Sequence, residues 1–125
     1  MSHITTVETQ IRDLEALREA CEVLGCTLEG PGQITGYARN MGRADHIVRL
    51  PGTHYTVGLV RQPDGTYRIE ADFWAGHVER VLGPRCSKLL QEYALSVVTR
   101  SAAARGRQAS VSREKDGRIL VRIRG

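Results

Sequence analysis

Aromatic residues are scarce in this chain. They make up 5% of its 125 residues: one Trp, one Phe and four Tyr. A core built from this sequence is therefore mostly aliphatic, from Leu, Ile, Val and Ala. Cysteine is scarce as well. Cys21, Cys26 and Cys86 are odd in number and no two have CxxC spacing, which argues against a disulfide scaffold and for buried, reduced thiols. No window approaches the ~18 apolar residues of a membrane-spanning helix. No basic-then-apolar leader opens the chain. The expected compartment is the cytoplasm or an organelle stroma of bacterial descent. Internal repeats and low-complexity segments are lacking too. The length suits one domain with one modest core.

Charge is present but unevenly placed. The net charge is +4. Residues 85–125 carry ten Lys and Arg against three acidic residues, while residues 1–84 carry eight against eleven. An acidic first part and a basic last part suit a nucleic-acid face, an acidic partner, or docking on a second copy. A merely solvated surface is the plainer alternative.

The periodicities define an order of elements. Residues 2–8 alternate and are rich in Ile, Thr and Val, which predicts a strand. A helix is expected next, with Thr9 as N-cap and Asp13 and Glu15 near the positive end of its dipole. Ile11, Leu14, Leu17, Cys21 and Leu24 form its apolar stripe, and Gly25 ends it. Residues 29–45 are glycine-rich and loose, with a short strand expected over 33–38 and a polar connection over 39–45. Glycines and arginines there lack the GxxxxGK[ST] spacing of a phosphate loop.

Three strands are expected over 46–50, 55–61 and 66–73, the last two joined by the turn Gln62, Pro63, Asp64, Gly65. Tyr55, Val57 and Leu59 share a face, as do Tyr67, Ile69, Ala71 and Phe73. The opposite face carries Arg68, Glu70 and Asp72 beside small residues and is expected to be open to water or a partner. A second helix starts at Pro84 or Arg85, with Leu89, Leu90, Tyr93, Ala94, Val97 and Val98 on its stripe. A basic hairpin over about 107–125 turns at Lys115, Asp116, Gly117. The expected fold is a single α+β domain over 1–125, an antiparallel sheet of about five to seven strands with two long helices packed on one face.

Candidate chemistry is thin. His3, His46, His54 and His77, with Asp45, Asp72 and Glu79, lack the close spacing that advertises a metal site, so none is expected. Cys86 at a helix start, beside Arg85 and Lys88, suits a lowered thiol pKa, but no His lies near it in sequence and no catalytic residue is assigned. Trp74 follows Asp72 and Phe73. It either stands partly exposed as an interface anchor or tucks under the second helix. Arg118, Arg122 and Arg124, with Arg105, Arg107, Arg113 and Lys115, suit phosphate or an acidic partner, though no aromatic accompanies them for base stacking.

The opening MSHITTVETQIRDLEALREACEVLG, the RADHIVRL run, the YTVGLVRQPDGTYRIEADFWAG hairpin and the LLQEYALSVV helix resemble the uncharacterised family typed by hypothetical chloroplast reading frame thirty-five. That family occurs in plastids, cyanobacteria and other bacteria. The resemblance covers residues 1 to about 100 and implies a fold and a compartment. It brings no reaction, cofactor or catalytic residue. It also implies an accessory or adaptor role beside ATPases of the AAA+ type. His46 inside the Arg-Ala-Asp run and the Arg-rich end depart from the pattern.

The functional expectation is a non-enzymatic, protein-binding accessory domain without a cofactor. Arg68, Glu70, Asp72 and Trp74 form its contact surface, and a homo-oligomer through an edge strand fits as well. The alternative is a nucleic-acid accessory protein that uses Arg118, Arg122 and Arg124.

Overall fold

A computed structural model describes residues 3–125. Its main sheet has five antiparallel strands, β1 (Ile4–Ile11), β2 (Thr27–Glu29), β5 (His46–Arg49), β6 (Thr56–Arg61) and β7 (Tyr67–Asp72), in the order β1-β7-β6-β5-β2. Two short strands, β3 (Gly32–Gln33) and β4 (Arg43–Ala44), pair with each other. Helix α1 (Leu14–Val23) follows β1, a single turn α2 (Glu79–Leu82) follows β7, and α3 (Ser87–Ala104) leads into the hairpin of β8 (Gln108–Arg113) and β9 (Ile119–Arg124). This is an α+β fold. The hairpin forms a sheet of its own. The helices are unequal, with 10 residues in α1 and 18 in α3. Ser2, the expected first residue of the opening strand, lies outside the described residues.

One face of the sheet holds the main core. Val57, Leu59, Ile69 and Ala71 meet Ile11, Leu17, Cys21, Leu82 and Leu89, all fully buried. The alternation of β6 and β7 places these side chains on one side, as their period of two requires. The turn between them closes with Gly65 at φ 89°, its N–H donating to Gln62 O at 3.0 Å.

Three expectations are corrected. The first helix is capped by Asp13, not Thr9: Asp13 Oδ1 accepts from the N–H groups of Glu15 and Ala16 at 3.0 and 3.2 Å. Thr9 stays in β1 at a bulge between Val7 and Ile11, where its hydroxyl donates to Tyr67 O and accepts from Ile11 N–H at 3.0 Å. That hydroxyl bonds backbone groups at the ladder's irregularity, so the strand continues where a helix was expected. The second correction concerns α3. Its buried positions include Glu92 and Ser96, while Val97 and Val98 are exposed. Glu19 on α1 draws Ser96 inward: the Ser96 hydroxyl donates to its Oε2 at 2.7 Å, and Arg100 Nη1 donates to its Oε1 at 2.5 Å. These two bonds, the Ser96 one foremost, hold the Glu19 carboxyl below its ordinary pKa.

The third correction concerns the second sheet face, which is partly covered, with Arg68 and Glu70 left half-buried. Ile34 is fully buried there with Ala44 and Ile47, packed with Ile4, Met41 and Val60. Gly58 permits it: a Cβ at that position would stand 2.6 Å from two Ile34 carbons and 2.9 Å from Ala44 Cβ. The covering segment is also hydrogen-bonded to the strand below. Thr56 N–H donates to Thr35 O at 3.0 Å, and Thr35 N–H donates to Thr56 Oγ1 at 2.9 Å.

Gly58→Ala is therefore expected to cost about 1–3 kcal/mol by overpacking, read as a lower urea midpoint. Gly30→Ala, where an added Cβ meets nothing within 4 Å, serves as control and should move stability by less than about 0.5 kcal/mol.

Candidate functional site

The segment that covers the second face ends at an aromatic cluster beside Asp72. Asp72 is the last residue of β7 and is only 1% exposed. Its carboxylate accepts from two backbone N–H groups on different segments. Oδ2 accepts from Tyr37 at 2.9 Å and Oδ1 from Trp74 at 3.0 Å. A buried carboxylate is stable only with such donors. Gly36 lets the chain approach, since a Cβ there would fall 2.6 Å from Asp72 Cβ.

The two residues clamped in this way carry their rings outward. Tyr37 is 71% exposed and Trp74 48%. They meet edge to face, with centroids 5.7 Å apart at 76°, a preferred geometry for aromatic pairs. Behind them, His77 lies 6.2 Å from Trp74 and 4.5 Å from Tyr55, and His54 lies 5.0 Å from Tyr55. His54 Nε2 donates to Gly36 O at 2.9 Å. Tyr55 is buried, and burial first, then the Asp72 charge, pushes its phenol up. The turn that presents Trp74 is unusual: Ala75 has φ 58°, a left-handed conformation that strains a non-glycine residue.

Of the four residues expected to share a contact surface, the structure joins Asp72 to Trp74 through the backbone and Arg68 to Glu70 through an ion pair at 2.9 Å. Trp74 takes the exposed alternative. Asp72 itself is buried. Tyr37, His54, Tyr55 and His77 were not singled out as a group with Trp74. A lone Tyr after Gly36 in a polar stretch was the one available signal for Tyr37.

The remaining candidates behave differently. Arg118, Arg122 and Arg124 are all exposed, and Arg118 Nε sits 2.7 Å from Asp116 Oδ2. Among the described residues no group of three His, Cys, Asp or Glu converges as a metal site. Cys86 is buried, and the expected lowering of its pKa is reversed: burial first, then Glu79, pushes the thiol up to about 12 despite Arg85. Burial also pushes Cys21 up to about 12 and Cys26 up to about 11. None of the three forms a disulfide.

Residues 20–121 match the family model described as protein of unknown function, DUF1257. The chain belongs to that family. The DUF1257 match begins within α1 and ends in β9, so it spans the Asp72 cluster and stops just before Arg122. Comparisons with curated proteins and with solved structures return no match. No described helix is long and apolar enough to cross a membrane.

The raised thiol values make a prediction. An acid whose folded pKa exceeds its unfolded value supports the fold below the unfolded value, and that support disappears as pH rises through the folded one. Stability should hold below about pH 9, the ordinary thiol value, and fall as pH climbs from there toward 12. Replacing all three cysteines with Ala should flatten that alkaline slope in urea titrations. A slope unchanged by the replacement would contradict the burial argument.

Proposed function

We propose that this DUF1257 protein is a non-enzymatic accessory or adaptor domain that binds another protein through the Tyr37–Trp74 edge. The observation that carries the reading is the exposed aromatic pair held by a buried carboxylate. Trp and Tyr dominate the binding energy of protein interfaces because they bury much area at little entropy cost. A rigid support lowers the ordering cost further. Arg68 and Glu70, on the face that Asp72 shares, belong to the polar margin of this surface.

The setting proposed is a reducing, cytoplasmic one, supported by three unbridged buried thiols. The partner proposed from the resemblance to the hypothetical chloroplast reading frame thirty-five family is a protein of an ATPase assembly of the AAA+ type. Self-association through the outer edge of β1 is a compatible addition, read as a dimer mass in sedimentation.

The test is co-purification from the native cell followed by affinity measurement with the recovered partner. Trp74→Ala and Tyr37→Ala should each weaken binding by about 2 kcal/mol or more, roughly thirty-fold. Their melting temperatures should stay within ~2 °C of the parent. A Trp74→Ala variant that unfolds, or that binds as the parent does, would remove the interface role.

A further inference from the structure

The β8–β9 hairpin has two unlike faces. The register pairs Ala109 with Ile123, Val111 with Val121 and Arg113 with Ile119, and this face is turned toward α3. Ile119 and Val121 line a shared cavity with Ala94, Leu95 and Val98. Arg113 reaches Glu92 in a two-pronged ion pair, with N–O distances of 2.6 and 2.9 Å. Gln91 adds a hydrogen bond to Gly117 O at 3.1 Å. One face is thus tied to the body of the molecule.

The other face looks into solvent. Gln108 pairs with Arg124, Ser110 with Arg122 and Ser112 with Leu120, and all six residues are exposed. Residues 105–124 hold seven Lys and Arg against two acidic residues. Only Arg113 and Arg118 of those seven form ion pairs among the described residues. Arg122 and Arg124 carry unbalanced charge on one ribbon, about 6.8 Å apart along the strand. Leu120 is the one apolar side chain on that face, too little for a protein interface core.

We propose that the outward face of β8–β9 binds double-stranded DNA, with Arg122 and Arg124 on phosphates and Gln108, Ser110 and Ser112 turned toward the base edges. Four physical arguments favour this occupant. The unpaired guanidiniums match a line of phosphates. A two-stranded ribbon fits the major groove of B-form DNA, which is about 12 Å wide. The face carries no aromatic residue on which single-stranded bases would stack. The deep, narrow major groove of A-form RNA shuts such a ribbon out. The inference is independent of the aromatic edge proposed for protein binding.

The experiment is fluorescence anisotropy with the full chain and a labelled mixed-sequence DNA duplex of about two helical turns. The two phosphate contacts would weaken binding on the order of ten-fold between 50 and 200 mM salt. An Arg122→Gln, Arg124→Gln double variant should bind at least ten-fold more weakly and lower the log–log salt slope by about two. Its circular dichroism should match the parent, because neither residue supports the core. Trp74→Ala should bind DNA unchanged, so failure of one proposal leaves the other standing. The proposal is overturned by no binding at 50 mM salt or by a double variant with the parent's slope. Equal or tighter binding of single-stranded DNA, duplex RNA or polyglutamate also overturns it, the last of these marking an acidic protein as the occupant.

Discussion

A buried carboxylate organises the functional end of this molecule. Asp72 closes β7, and its two oxygens accept backbone N–H groups from residues 35 positions apart in one direction and two in the other. Burying an ionised carboxylate costs several kcal/mol unless donors replace its water. Two of its donors are rigid peptide groups, so their bonds also fix where the chain runs. Tyr37 and Trp74 meet because each is hydrogen-bonded to Asp72. The turn at Ala75, left-handed and strained, persists against that anchor.

The constraint depends in turn on side chains that are missing. Gly58 lets Ile34 lie on β6, and Gly36 lets the same segment pass over Asp72. The second sheet face is partly closed by a small cluster of Ile34, Ala44 and Ile47 rather than by a helix. The helices occupy the first face, where α1 and α3 are joined by Glu19, Ser96 and Arg100. The aromatic edge joins Tyr37 of the covering segment to Trp74 of the turn that leads into α2, while the basic hairpin rests on α3. Two surfaces of different chemistry, one aromatic and one cationic, arise from different supports.

Much of this architecture was legible in the residue order. The alternation in β6 and β7 and the Pro63-Asp64-Gly65 turn identify the hairpin they form, because period and turn chemistry are local properties. The basic hairpin was equally plain. The beginning of α1 was not, because Thr9 and Asp13 are both good caps and Ile11 fits both a strand face and a helix stripe. A bulge decides between them, and it depends on contact with Tyr67, far along the chain. The stripe of α3 was ambiguous for a similar reason. Helical spacing shows that Leu89 and Val97 lie near one face, but Glu19 decides that Ser96 turns inward while Val97 stays exposed. A charged residue in an alternating strand reads as solvated, so the burial of Asp72 was invisible without its donors. Cys86 shows the same limit: Arg85 is adjacent in sequence, but burial outweighs its charge.

The central claim is that Asp72 holds the Tyr37 and Trp74 amides, and amide hydrogen exchange tests it directly. In the native protein both amides should exchange slowly although their side chains face solvent, and Asp72→Ala, which removes both acceptor oxygens, should speed both together while the β6 amides stay protected. Fast exchange at either amide in the parent protein, or independent responses of the two in the variant, would contradict the account.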